Sequence, residues 1–586
     1  MSIQYREISE EEYARRLRMV ISSSEGLHAR AQNVGDNKAT IGWGYTFNRN
    51  NNEQIWRDSG ISLTEAEWTM LRNIDRAADS EKTSLGLRFS RVLNEAEADK
   101  LLRATIEKGY SAPANLLNMP LSDERIAMIS LAYNRGPERL LGSETTPEHP
   151  VMDAIRRGDR AEAWFQMRYN CWGNKSDSEA GLRKRRFAEA EVFGLYNDKE
   201  QITPDEARSV YRMLQLHRDE IERVEARFGE SLDGSNGRRN MIQQANRDYP
   251  MIVREYGRVS TISESLAPAR TVLLADIEKQ HPGTLDASLL EGIQAGRIYL
   301  DPGRDLNDRN EINARYAGSN RLKREHGNAT VQDVQPEHEA TLDSRRQNAR
   351  GAELESDDLL LGEGGNDTLR AHKGHDVLIG GEGHNRMEGG QGRDVYFARA
   401  GDTIHDSDQQ GEIYLGGQKL TGGESIGAHT YRSEDGRFAY ELHGRNLHVI
   451  DNHAPSSERK PLVIENFDNG RMGISLSNLR EIRPEENPQS EREKQARAIV
   501  EPAASEMSSL SQLAQRVLNS SRTELDQMGR DIANSPLGEQ FRQRGAELWE
   551  ERQAELRRQE QEAQEWARQQ EQEKAQQHTP RGPVMR

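Results

Sequence analysis

A single cysteine, Cys171, in 586 residues excludes an intrachain disulfide framework and leaves the fold to packing and to any ion the chain binds. No uncharged run is long enough to span a bilayer. The first twenty residues are charged where a secretory leader needs an apolar core, so export is expected to use a dedicated machine or lysis. Apolar content is low: a mean hydropathy of −0.92 with 30% charged residues is too polar for one compact globule, so part of the chain is expected to be solvated helix or disorder. An excess of positive charge is missing too, and the net charge of −17 argues against nucleic acid as a partner. That acidity is uneven, because residues 1–200 hold 29 Lys and Arg against 31 Asp and Glu. A near-neutral head is joined to an acidic body, and the length suggests about four domains.

What the chain does have is a nine-residue period. Five frames begin at Glu353, Gly362, Ala371, Gly380 and Gly389. Their sixth positions are Asp358, Asp367, Asp376, Asn385 and Asp394, and their eighth are Leu360, Leu369, Leu378, Met387 and Tyr396. The fourth positions are Ser356 and then glycine at 365, 374, 383 and 392. The pattern approaches G-G-x-G-x-D-x-U-x. Glycine permits tight turns at positive φ, the apolar eighth residue points to an axis, and stacked turns gather carboxylates and carbonyls around Ca²⁺. A Gly-rich linker is the other reading, but it would not keep an apolar residue at every eighth position. The period resembles the hemolysin-type RTX calcium-binding repeats, which implies a parallel β-roll with Asp358, Asp367, Asp376 and Asp394 as calcium ligands. Three departures bear on occupancy: Ala371-His372 replaces Gly-Gly, Asn385 replaces Asp, and the first frame is a half-match. His372, His375 and His384 cluster in the repeats but sit at turn positions open to many residue types, so they are read as turn residues and not as metal ligands.

Elsewhere the pattern is helical. Thr64/Glu67 and Asn94/Glu97 have capping-box spacing, and Thr203-Pro204 with Glu206 opens a segment with Val210, Leu214, Ile221, Val224 and Phe228 on one face. The expected architecture is multidomain. Residues 1–200 form a mainly α (α+β) domain, residues 201–350 a helical segment broken at Pro250, Pro268, Pro282 and Pro302, and residues 351–415 the β-roll. Residues 416–482 follow as an antiparallel β cap, in which Phe438–Leu442 and Leu447–Val449 flank a Gly444-Arg445-Asn446 turn. Residues 483–586 form a Glu/Gln/Arg-rich tail with only a thin apolar stripe of Leu548, Leu556 and Trp566. That tail is either a solvated or disordered segment or a signal for a secretion apparatus.

The chemistry lies in the first 200 residues. Glu25-Gly26-Leu27, followed fifteen residues after Glu25 by Thr40 in Thr40-Ile41-Gly42-Trp43-Gly44, resembles the phage-type lysozymes of glycoside hydrolase family 24. Two further stretches support the resemblance, Ser130-Leu131-Ala132-Tyr133-Asn134-Arg135-Gly136 and Gly181-Leu182-Arg183-Lys184-Arg185-Arg186-Phe187-Ala188-Glu189. Together they span residues 15–195 in family order. Glycoside cleavage needs a carboxylic acid, and the end of an apolar helix facing a cleft suits one. Glu25 follows Leu17, Val20 and Ile21 and fits that place. By resemblance Glu25 is the general acid and Thr40 positions the water. The family's second carboxylate falls nine residues after the glutamate, where this chain has Val34; Asp36 beyond Gly35 is either its replacement or an ordinary turn aspartate. Tyr45 replaces the family's histidine after G-x-G. The cationic run Arg156, Arg157, Arg160, Arg168, Arg183, Lys184, Arg185 and Arg186 is read as a solvated helical face, with attraction of anionic wall polymer as the alternative. Cys171 is read as packing rather than nucleophile.

The resemblance implies a peptidoglycan hydrolase that uses Ca²⁺. The combination with the Gln-rich tail resembles the antibacterial type IV secretion effectors of Xanthomonadales, which implies a periplasmic site of action in a target cell, a secretion coupling partner and a cognate inhibitor in the producer. A type I exported form and a non-catalytic calcium-dependent wall adhesin are the alternatives.

Overall fold

The computed structural model describes residues 3–143, 147–171, 178–301, 340–347, 351–456 and 459–477. All belong to one compact unit, Met1–Leu479. The tail from 483, with Leu548, Leu556 and Trp566, and Pro302 lie outside the described residues.

The first helix, Glu10–Ser24, begins where the Ser9 side chain accepts the Glu12 N–H, with Glu10, Glu11 and Glu12 complementing the helix dipole, and it buries Leu17, Met19, Val20 and Ile21. A small antiparallel sheet follows, His28–Asn33, Ala39–Gly42 and Tyr45–Thr46. It packs with Trp56, Phe89 and Leu101 into a separate small core. Both capping boxes form, at Thr64/Glu67 and Asn94/Glu97. Helices Asp123–Arg135 and Glu179–Phe193 fill the centre of the larger core.

The core does not break near residue 200. Helix Pro204–Phe228 buries Val210, Leu214, Ile221, Val224 and Phe228 in the same cluster as Phe187 and Phe193. Helix Ile262–Gln280 lies along it and runs unbroken through Pro268, contrary to the expected break. The reason is local: the Tyr196 hydroxyl donates to Ser265 O at 2.7 Å and accepts the Ala269 N–H at 3.3 Å, patching the ladder beside the proline. Pro250 starts the helix Pro250–Tyr256, where a missing N–H is harmless.

The frames stack into two parallel sheets, each strand pairing with the one eighteen residues on: Leu359 with Val377 and Val377 with Val395 in one, Thr368 with Arg386 in the other. Both sheets begin before the repeats, at Ile298–Leu300 and Thr341–Asp343. Leu360, Leu369, Leu378, Met387 and Tyr396 are fully buried between the sheets. On the outer face of the first sheet, Leu359, Leu361, Val377 and Phe397 join the helical core, so the middle helices pack between head and roll. Close stacking needs glycine: a Cβ at Gly383 would lie 1.7 Å from Gly365 O. The Ala371-His372 departure is absorbed as a left-handed turn, with His372 at φ 76. The roll ends in antiparallel strands, among them the hairpin Phe438–His443 with Asn446–Asp451.

Candidate active site and calcium roll

Glu25 caps the first helix: its N–H makes the last helical bond, to Ile21 O at 3.0 Å, and its extended backbone (φ −114, ψ 125) throws the side chain off the helix end. One carboxylate oxygen, Oε1, accepts from Arg185 Nη1 at 2.6 Å. The other lies over Gly44, where a Cβ would sit 3.1 Å from Oε2 and 3.4 Å from the Tyr133 ring. Gly44 adopts φ 89 and is therefore required both for its turn and for the room it leaves. The Tyr133 hydroxyl donates to Trp43 O at 2.8 Å, and burial, reinforced by Glu25, holds the phenol well above its ordinary range.

Arg185 draws the other two motifs onto Glu25. It donates to Glu189 Oε1 at 2.9 Å and to Ser130 O at 3.3 Å, while Ser130 Oγ donates to Glu189 Oε1 at 2.6 Å. Arg186 Nη2 donates to Asn134 Oδ1 at 3.0 Å. Burial works against the charge of Arg185, yet Glu189 and Glu25 hold its pKa above the ordinary arginine value. Glu25 therefore sits in an ion pair, with its side chain 27% exposed, and not in a purely apolar niche. Sequence reasoning did not name Arg185 or Gly44 as site residues. The i,i+4 spacing of Arg185 and Glu189 was the available signal.

Thr40 is 4% exposed, and its hydroxyl has no hydrogen-bond partner among the described residues. Asp36 lies exposed in the loop after His28–Asn33, and its Oδ1 accepts the Lys38 N–H at 3.1 Å. Val34 in the same loop is 49% exposed. Tyr45 is buried, donates to Asn52 Oδ1 and packs edge-on against Phe47 and Trp56. A cavity of about 690 Å³ bordered by Tyr13, Leu17, Ile106 and Ile129 opens beside the first helix, but Glu25 is not in its wall.

The cationic run divides: Arg156, Arg157 and Lys184 keep partly exposed side chains, paired with Glu148, Asp153 and Asp248, whereas the other five are core residues and not a solvated face. Arg160, Arg168, Arg183, Arg185 and Arg186 are each 5% exposed or less and are paired with Glu124, Glu225, Glu179, Glu25 and Glu189 respectively. Cys171 is buried with its Sγ 3.6 Å from His149 Nε2, and burial pushes the thiol up to about 11, as befits a packing residue.

In the roll, Asp358, Asp376 and Asp394 stack on one edge, where Asp376 Oδ1 accepts the Asp358 N–H at 2.8 Å and Asp394 Oδ1 the Asp376 N–H at 3.0 Å. Asp367, Asn385 and Asp402 form the opposite ladder, in which Asn385 Oδ1 accepts the Asp367 N–H at 2.9 Å. Burial, reinforced by Asp394 and Asp358, pushes Asp376 up to about 10, and burial lifts Asp394 to about 8. The Oδ2 atoms of Asp376 and Asp394 are buried without a hydrogen-bond partner. Such oxygens suit a hard cation, which supplies the missing positive charge. Among the described residues no three His, Cys, Asp or Glu side chains converge on one metal-sized point, because the roll offers one carboxylate per turn and its other oxygen donors are backbone carbonyls. The three histidines go to separate partners: His372 to Asp343 and Glu353, His375 to the Arg393 N–H, His384 to Lys460.

Among the described residues no helix is long and apolar enough to cross a membrane. Residues 22–189 match the phage lysozyme family model, and residues 361–396 and 372–404 match the RTX calcium-binding nonapeptide repeat, in four copies. No curated protein matches the chain. Among solved structures, the solution structure of the AlgE6R3 subunit from the Azotobacter vinelandii mannuronan C5-epimerase is 23% identical, covering 23% of this chain and 74% of that one, with a TM-score of 0.16, too low to bear on the fold.

RTX repeats bind Ca²⁺, and the buried oxygens of this roll fit that ion. Chelation is therefore expected to destabilise the roll: an ion held at a hundred times its Kd contributes about 2.7 kcal/mol. Circular dichroism in EGTA should show loss of β signal from the roll, restored by calcium. An unchanged spectrum and melting temperature would mean that the roll stands without the ion. The chain carries a phage lysozyme domain, which supports peptidoglycan hydrolysis, followed by RTX calcium-binding repeats.

Proposed function

We propose that the protein is a muramidase that cleaves the β-1,4 bond between N-acetylmuramic acid and N-acetylglucosamine and is exported to act on the walls of other bacteria. The observation that carries this reading is the seat of Glu25: Oε1 is taken by Arg185 and Oε2 lies over Gly44, at the convergence of all three lysozyme-like motifs. Oε2 is the oxygen left to carry a proton to the leaving glycosidic oxygen. A buried hydroxyl without a partner costs about 1–3 kcal/mol unless water or substrate meets it, which suits Thr40 to holding the attacking water. Asp36 is the remaining carboxylate for that water. Asp36→Asn is expected to cut turnover about a hundredfold with the fold intact, because asparagine keeps the acceptor for the Lys38 N–H; steady-state hydrolysis at a normal rate would remove Asp36 from the mechanism.

Export in an unfolded, calcium-poor state followed by folding outside accounts for the repeats. The tail from 483 is proposed as the signal read by a type IV secretion apparatus, with a cognate inhibitor protecting the producer. A non-hydrolytic wall adhesin is the second reading, favoured by Val34 at the position of the family's second carboxylate. Digestion of purified peptidoglycan followed by borohydride reduction separates the readings. Muramitol ends establish a muramidase, glucosaminitol ends a different glycosidase, and binding without new ends the adhesin.

A further inference from the structure

The first repeat frame differs from the others at its fourth position, where Ser356 stands in place of glycine. In the structure that serine forms part of a cage of oxygens around the guanidinium of Arg297. Arg297 ends the short turn Ala295–Arg297, just before the strand Ile298–Leu300 that opens the first sheet. Its Nε donates to Asp358 Oδ1 at 2.5 Å and its Nη2 to Asp358 Oδ2 at 2.7 Å. Nη2 also donates to Ser356 Oγ at 2.7 Å and to Ser344 O at 2.8 Å, and Nη1 donates to Tyr299 Oη at 2.9 Å. Asp358 is fully buried and Arg297 only 8% exposed. Two carboxylate oxygens, a carbonyl and two hydroxyls are donor chemistry typical of a calcium site, yet here a side chain brings the charge.

The next two members of the same edge contrast with this. Asp376 and Asp394 each use one oxygen to accept the N–H of the preceding aspartate, and the other is buried without a partner. Both oxygens of Asp358 are engaged by the bidentate arginine.

We propose that Arg297 is a built-in cation for the first turn of the roll, so that the edge takes calcium at Asp376 and Asp394 but not at Asp358. The helical body and the first turn are then joined without calcium, and ion-dependent folding begins one turn later. The departure of the first frame at Ser356 is part of the guanidinium site, and Asp358 is its counter-ion.

Calcium titration by calorimetry of the full chain tests this, with circular dichroism at saturating calcium confirming the fold. Asp376→Asn is expected to bind one ion fewer than wild type. Asp358→Asn alone leaves a buried arginine unpaired and is prone to misfold, so the decisive variant is Arg297→Gln with Asp358→Asn, which removes both charges and keeps the shape. That double variant is expected to bind the wild-type number of ions; loss of one would overturn the proposal. A second readout is hydrogen exchange in EGTA, where Leu359–Leu361 should stay protected while Val377–Ile379 opens. Equal loss of protection in the two strands would also overturn it.

Discussion

Replacing Glu25 by Gln is expected to lower the rate of peptidoglycan hydrolysis about 10²–10⁴-fold, the range general acid catalysis supplies, while leaving wall binding and the fold in place. Glutamine is nearly isosteric, so its carbonyl oxygen can still accept from Arg185 Nη1 and its amide can still lie over Gly44. What is lost is the carboxyl proton proposed to pass to the leaving oxygen. Arg185 would retain Glu189 at 2.9 Å and Ser130 O, so the network behind the site survives. Release of reducing ends and sedimentation with insoluble peptidoglycan, measured on the same preparation, separate chemistry from binding. Hydrolysis within a few fold of wild type would show that another residue carries the proton. A variant that neither hydrolyses nor binds would place Glu25 in substrate binding.

The roll and the head differ in how far they could be read from sequence. A nine-residue period with an apolar eighth position leaves few geometries, because each side chain must repeat its environment every turn. The eighth-position residues Leu360, Leu369, Leu378, Met387 and Tyr396 are buried accordingly. The place of Glu25 at the end of the first helix was legible from the apolar face that precedes it, and its spacing to Thr40 is a length of chain across a tight sheet, with Thr40 paired to Gln32 and Thr46. Arginines were not legible. A run such as Arg183–Arg186 reads the same whether it faces water or a core, since Glu189 four residues on from Arg185 fits either case and the deciding acid, Glu25, lies 160 residues away. Arg297 was hidden for the same reason, lying 61 residues from Asp358. Pro268 misled because proline states a local preference, and the tertiary partner that offsets it, Tyr196, is remote in sequence.

Arg168→Met is expected to destabilise the protein by about 3–5 kcal/mol, the cost of leaving a buried charge without its partner. Arg168 and Glu225 are both fully buried, joined at 3.1 Å, with the Tyr169 hydroxyl donating to the same Glu225 oxygen at 2.6 Å. Arg168 also donates to Ser260 O at 3.1 Å, so one side chain ties the head to two parts of the middle segment. Methionine removes the charge and those donors but leaves Glu225 dehydrated in the core. If burial of an uncompensated carboxylate is the cost, adding Glu225→Gln to Arg168→Met should recover much of the loss, since a pair of uncharged groups of similar volume is tolerated where a lone ion is not. Urea denaturation followed by tryptophan fluorescence, with Trp164 close to Arg168, reads both variants. Because the head and the helix Pro204–Phe228 share one core, head and middle segment should lose stability in a single transition. A cost below about 1 kcal/mol, or separate transitions for head and middle segment, would show that the boundary near residue 200 is a real division and that the ion pair does not join the two.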